Sequence, residues 1–128
     1  MAIHESAEMY LETILLLSRQ TGKVRSIDIS EHMHFSKPSV SRAVGNLKKE
    51  DCINVDGSGY ITLTEKGLEI AEKIYEKHRL LTEYFIKLGV NEKTAENDAC
   101  NIEHVISDET FNALKKHFAG INGTAGST

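Results

Sequence analysis

Apolar residues recur at three- and four-residue spacing along most of this chain, with one short interruption. Tyr10, Ile14 and Leu17 form a single stripe on a segment from Ser6 to Arg19, which predicts an amphipathic helix. Met9 and Glu12 share a neighbouring face of it, and Thr21-Gly22-Lys23 ends it. Ser26 is the expected N-cap of a short helix to His34, with Ile27, Ile29 and Met33 apolar. After the break Phe35-Ser36-Lys37, Ser36 is a natural N-cap for a helix reaching Glu50. Pro38 is tolerated in its first turn, where a missing N–H leaves no bond unmade. Val40, Ala43, Val44 and Leu47 face inward, whereas Lys37, Ser39, Ser41, Arg42, Asn46 and Lys49 face outward.

The period then changes. Ile53-Asn54-Val55 and Tyr60-Ile61-Thr62-Leu63 are β-rich and are joined by Asp56-Gly57-Ser58-Gly59, a hairpin pattern. Thr64 opens a long helix to Leu88, striped by Leu68, Ala71, Ile74, Tyr75, His78, Leu81, Phe85 and Leu88, and Gly89 stops it. A helix from Lys93 to Ser107 follows, and Ser107 caps a last helix to Phe118. Residues 121–128 are small and polar and are expected to be disordered.

This order gives a mainly α fold with a small β-hairpin wing, a winged helix-turn-helix followed by further helices. In such folds the second helix of the Ser26–Glu50 pair enters a DNA major groove. The expected DNA-contacting residues are Ser36, Lys37, Pro38, Ser39, Ser41 and Arg42, with Ser58 of the hairpin tip on flanking backbone. A small helical bundle without DNA is the alternative. The overall charge of −4 argues against DNA until it is mapped. Between Arg19 and Lys49 seven basic residues stand against two acidic ones, a local +5, which leaves −9 on the rest.

The composition is otherwise that of a soluble protein, 40% hydrophobic and 27% charged. No apolar run reaches the roughly 20 residues of a membrane span, and the polar, acidic start MAIHESAEMY does not read as a leader. A cytoplasmic setting is expected, with Cys52 and Cys100 as thiols. Ile102, Val105, Ile106, Phe111, Leu114 and Phe118 are many apolar residues for two short final helices, so they are expected to form a homodimer interface.

Cys100, Glu103 and His104 carry the chemistry. At i, i+3 and i+4 of a helix they share one face, and thiolate, carboxylate and imidazole together are a metal-ligand set. The plainer reading makes Cys100 a small core residue and the other two a solvated helix end. His78 lies on the long helix's apolar stripe, where a histidine is more often a hydrogen-bonded core residue than a ligand. Counting Met9 and Glu12, six ligand-type side chains could converge.

Four strings, AEMYLETI from Ala7, SKPSVSRAVGNL from Ser36, KHRL from Lys77 and DACNIEHVISDE from Asp98, resemble the diphtheria-toxin-repressor family of iron- and manganese-dependent bacterial transcriptional regulators. The resemblance spans nearly the entire chain to Phe118. It implies a winged-helix DNA-binding domain over 1–72 and a helical metal-binding and dimerisation domain over 73–120. The SH3-like third domain of some members is expected to be missing.

The resemblance also implies ligand roles. Met9, Cys100, Glu103 and His104 match the iron-type primary site, Glu12 a carboxylate of the manganese-type branch, and His78 a ligand of the second metal position. Thr82 replaces a family carboxylate there, with Glu83 beside it, and Glu96 falls near a second-site histidine of the iron branch. Sulfur ligands favour Fe²⁺, Co²⁺, Ni²⁺ or Zn²⁺, while an oxygen and nitrogen set favours Mn²⁺. Fe²⁺ is expected first and Mn²⁺ next. The expected function is a metal-dependent repressor that binds a palindromic duplex DNA operator as a homodimer, with no membrane and no small organic substrate. Two alternatives stand: a winged-helix regulator sensing redox through Cys100, and a metal-binding hydrolase. The second lacks HExxH, a nucleophile elbow and a phosphate-binding glycine loop.

Overall fold

The order of elements follows from caps and breakers that act within a few residues of themselves. A computed structural model describes the backbone of residues 5–126 and the side chains of residues 6–120. Its elements are α1 Glu5–Thr21, α2 Ser26–Met33, α3 Lys37–Lys49, β1 Ile53–Val55, β2 Ile61–Leu63, α4 Glu65–Lys87, α5 Glu92–Ile102 and α6 Asp108–Gly126. No described helix is long and apolar enough to cross a membrane. The mainly α architecture with a two-stranded wing is as the sequence predicts. The chain divides into two compact units, one ending at Ile74 and the other beginning at Tyr75, so the division falls inside α4.

In the first unit α1 packs against α2, α3 and β2. Leu11, Ile14, Ile29 and Val40 are wholly buried, the apolar stripes having found one another. Ser36 caps α3 by accepting the Ser39 N–H at 3.3 Å, with Pro38 in the first turn. The chain leaves α3 through Asp51, which has φ +62°. Its N–H bonds Lys48 O at 3.1 Å and that of Cys52 bonds Leu47 O at 2.9 Å, which uses up otherwise orphaned carbonyls. The strands pair antiparallel, Ile53 with Leu63 and Val55 with Ile61, and Val24 adds a bridge to Ile61 that the sequence pattern does not reveal. At the wing tip the Asp56 carboxylate accepts from the N–H groups of Ser58 and Tyr60, both at 2.9 Å, and Gly59 takes the φ of +86° that the turn requires. Thr64 caps α4 by accepting the Gly67 N–H at 3.1 Å. Arg19 of α1 pairs with Glu72 of α4 at 3.0 Å.

In the second unit the remainder of α4 comes with α5 and α6, and Leu81, Ala95, Ala99, Phe111 and Phe118 are buried. Gly89, at φ +102°, ends α4, and the Asn91 side chain caps α5 by accepting the N–H groups of Lys93 and Thr94. Ser107 caps α6, accepting the Thr110 N–H at 3.1 Å.

Four expectations need correcting. The N-cap of α2 is Arg25, not Ser26, because Asp28 reaches back to accept the Arg25 N–H at 2.8 Å and fixes the helix start one residue earlier. α5 stops at Ile102 instead of running to Ser107: the N–H groups of Val105 and Ile106 both turn onto Ile102 O at 2.9 Å, which frees Ser107 to cap α6. α6 continues past Phe118 to Gly126, although Gly120 and Gly123 are poor helix formers. Residues 121–126 of the expected tail belong to α6, and residues 127–128 lie outside the described ones. Finally, Phe111 and Phe118, expected at a dimer interface, are only 3% and 7% exposed within the chain itself, where both pack into the interior of their own unit.

Candidate metal centre and DNA-facing surface

α4 presents His78 to the chain that leaves α5. Its Nδ1 lies 2.7 Å from Oε1 of Glu103, the C-cap residue of α5. Glu103 is completely buried, and with Thr13 and Lys77 it makes up the buried polar or charged residues among those described. Its second oxygen, Oε2, lies 3.3 Å from Nε2 of His104 yet accepts no hydrogen bond from any described residue. The His104 ring is itself 2% exposed.

A buried carboxylate between two imidazoles, with one oxygen unsatisfied, is an arrangement that calls for a cation. With the carboxylate as acceptor, His78 donates through Nδ1, and Nε2 is the nitrogen that can ligate. A histidine whose other nitrogen donates to a carboxylate is the usual form of a metal-bound imidazole. The donor set of one oxygen and two nitrogens suits a first-row divalent ion.

The remaining sequence-predicted ligands are placed as follows. Glu103 is the αR C-cap of α5, its N–H still bonding Ala99 O at 2.9 Å, and His104 begins the turn that follows, so the expected helical spacing from Cys100 holds as far as Glu103. Cys100 is one turn earlier on α5 and is exposed. Thr82 bonds the His78 carbonyl through its hydroxyl at 2.7 Å, and Glu83 and Glu96 are exposed. Met9 and Glu12 lie on α1 of the first unit, three residues apart.

The surface expected to meet DNA lies on α3 and the wing. Ser36, Lys37, Pro38, Ser41, Arg42 and Ser58 are exposed, and Ser39 is half-buried, its hydroxyl taken by that of Ser36 at 2.9 Å. Tyr10 packs edge-on against Phe35 at 6.0 Å between ring centres. Burial pushes the Tyr10 hydroxyl up from its usual range, and the Arg42 charge offsets part of that rise.

One group on this surface escaped the sequence reading except as charge. Arg25 donates through Nε and Nη2 to the Ser58 carbonyl, and its guanidinium stands 4.8 Å from the centre of the Tyr60 ring. Lys23 stands 4.9 Å from the same ring. The alternation Lys23-Val24-Arg25, with Val24 buried against the wing, was the available signal: in an extended segment the two cations fall on one side.

Comparison with known proteins accounts for both units. Residues 2–59 match the iron dependent repressor N-terminal DNA binding domain, and residues 64–121 match the iron dependent repressor metal binding and dimerisation domain. The HTH-type transcriptional regulator MJ0568 of Methanocaldococcus jannaschii is 34% identical over 113 residues, covering 87% of this chain and 90% of that protein. The solved structure of the manganese regulator SloR is 32% identical with a TM-score of 0.77, over 92% of this chain and 54% of the other. That of the metal-dependent transcriptional regulator MtsR is 30% identical with a TM-score of 0.81, over 88% of this chain and 53% of the other. This chain thus spans just over half the length of those two. Both domain models and all three relatives are described as repressors or regulators, which stands against the hydrolase alternative. Matched by both domain models in succession, the chain belongs to the iron-dependent repressor family of metal-dependent, winged-helix transcriptional regulators.

Proposed function

We propose that this protein is a repressor which binds a two-fold symmetric duplex DNA operator as a homodimer, and does so tightly only when a divalent metal is bound at His78, Glu103 and His104. The observation that carries the reading is the buried Glu103 carboxylate, flanked by two imidazoles and left with an unsatisfied oxygen. Cys100, Met9 and Glu12 are proposed as further ligands on the strength of the family resemblance, with Glu83 and Glu96 as lesser candidates. A bound divalent ion supplies positive charge and directional bonds at a place where the protein holds an anion away from water. His78 orients the carboxylate, and the turn after α5 keeps His104 beside it. Fe²⁺ is the proposed physiological ion, given the two sulfur side chains, and Mn²⁺ is next, as the likeness to a manganese regulator supports.

Ser36, Lys37, Pro38, Ser39, Ser41 and Arg42 are proposed to meet DNA, with Ser58 at the wing. Val105, which is 72% exposed, and the half-buried Ile102, Ile106 and Leu114 are proposed for the dimer contact. A coupling of about 1–3 kcal/mol between metal and DNA suffices for a switch. The test is a DNA mobility shift in chelator against added Fe²⁺ or Mn²⁺, with His104→Ala and Cys100→Ala alongside. Metal-dependent binding lost in both variants supports the reading. Equal affinity with and without metal overturns it.

A further inference from the structure

Lys77 sits in an unusual place for a lysine. Its side chain is 8% exposed, and lysines are rarely buried unless something pairs with them. Its Nζ lies 3.3 Å from Oδ1 of Asp108 and donates to the Ile106 carbonyl at 3.5 Å, with the Phe111 ring centre at 5.8 Å. All three partners follow Glu103 in the chain, at the end of the turn and in the first two turns of α6. The very next residue of α4, His78, holds the start of that turn through Glu103. Two consecutive side chains therefore grip both ends of a six-residue segment, and this segment carries Glu103 and His104. An ion pair with an aspartate that is itself 58% exposed contributes little stability and does not explain burying an ammonium group. Holding the segment in place does explain it.

We infer that Lys77 is a positioning residue, whose ammonium fixes the Glu103–Asp108 segment so that Glu103 and His104 are already arranged as ligands before a metal arrives. This rests on the metal reading given above. Partners that orient ligands in this way characteristically alter metal affinity 10–100-fold when removed.

The test uses the full chain with Lys77→Met, which keeps the apolar stem and removes the ammonium. Amide hydrogen exchange is followed in chelator, and Co²⁺ is titrated as a spectroscopic probe. The expected result is at least about tenfold faster exchange at Val105 and Ile106, unchanged exchange in α1, and Co²⁺ affinity down about 10–100-fold. Lys77→Arg, which retains a cation and donors, should recover most of both. Unchanged Co²⁺ affinity overturns the role, even if exchange quickens. Should Lys77→Met not fold, Lys77→Gln removes the charge while keeping a polar end, with the same two results expected and the same one fatal. If the unaltered protein takes up no Co²⁺, the metal reading itself fails. Exchange alone then judges the hold of Lys77 on the turn, faster supporting it and unchanged overturning it.

Discussion

A Cβ placed on Gly67 would stand 2.0 Å from the carbonyl oxygen of Cys52 and 2.9 Å from its carbonyl carbon. That carbonyl also accepts the Thr64 N–H at 3.0 Å, so the first turn of α4 lies directly on the backbone entering β1. Gly67→Ala gains about 1 kcal/mol of helix propensity but forces two backbones apart, and overpacking of this kind costs about 1–3 kcal/mol or more. The clash wins because neither partner is a flexible side chain. Denaturant unfolding should show a loss of about 1–2 kcal/mol. A midpoint equal to the unaltered protein's would mean that α4 starts differently in solution.

Arg42 and Lys37 should separate by salt dependence. Arg42→Ala should lower operator affinity by about 1–3 kcal/mol if its guanidinium reads a base edge, and relax preference at that position. Lys37→Ala should weaken all sequences alike and reduce the salt slope by about 1, the mark of a lost phosphate contact. Affinities for operator and unrelated DNA at several salt concentrations check both.

Arg25 commits Nε and Nη2 to the Ser58 carbonyl at the wing tip. Arg25→Ala should therefore loosen the wing and weaken DNA binding several-fold while leaving the salt slope nearly as it was. Tyr60→Ala should act the same way, since that ring is the surface against which Arg25 lies. A fall of about 1 in the slope for Arg25→Ala would assign its charge to a phosphate instead.

The two thiols should differ sharply in reactivity. Cys52 is buried, and its thiol is pushed up first by that burial and then by Glu50 and Asp51, with Lys66 opposing them. A raised thiol pKa means less thiolate at any given pH, and thiolate is the reactive form. Alkylation at pH 8 followed by mass spectrometry should mark Cys100 early and Cys52 only on unfolding. Saturating Mn²⁺ should protect Cys100, and an unaltered rate there would remove it from the ligand set.

Helix starts were legible in the sequence because capping is local: Ser36, Thr64 and Ser107 each bond an N–H three residues on, and each could be named from its neighbours. The end of α5 was not legible. Nothing between Cys100 and Ser107 breaks a helix, and the stop shows only in the bonds that Val105 and Ile106 make to the Ile102 carbonyl. His78, Glu103 and His104 could be named as candidates from residue type, with Glu103 closing α5 and His104 opening the turn after it. Phe111 and Phe118 show the limit of reading apolar excess as an interface. Their number is visible in the sequence, whereas which of them a 54-residue unit keeps for its own interior is settled only by packing. Lys77 entered the sequence reading only as the first residue of the KHRL string, because burial of a charged side chain depends on partners about 30 residues away.

Adjacent residues of a helix point about 100° apart around its axis. Lys77 and His78 use that angle, one reaching the Ile106–Asp108 end of the turn and the other Glu103. A one-residue insertion or deletion in α4 after His78 would rotate both away from the turn together, and no single side-chain change elsewhere would restore the two grips at once. Length variation among relatives should therefore avoid α4 between Lys77 and its C-terminal end, and gather where spacing is free, at the Asp56–Gly59 tip.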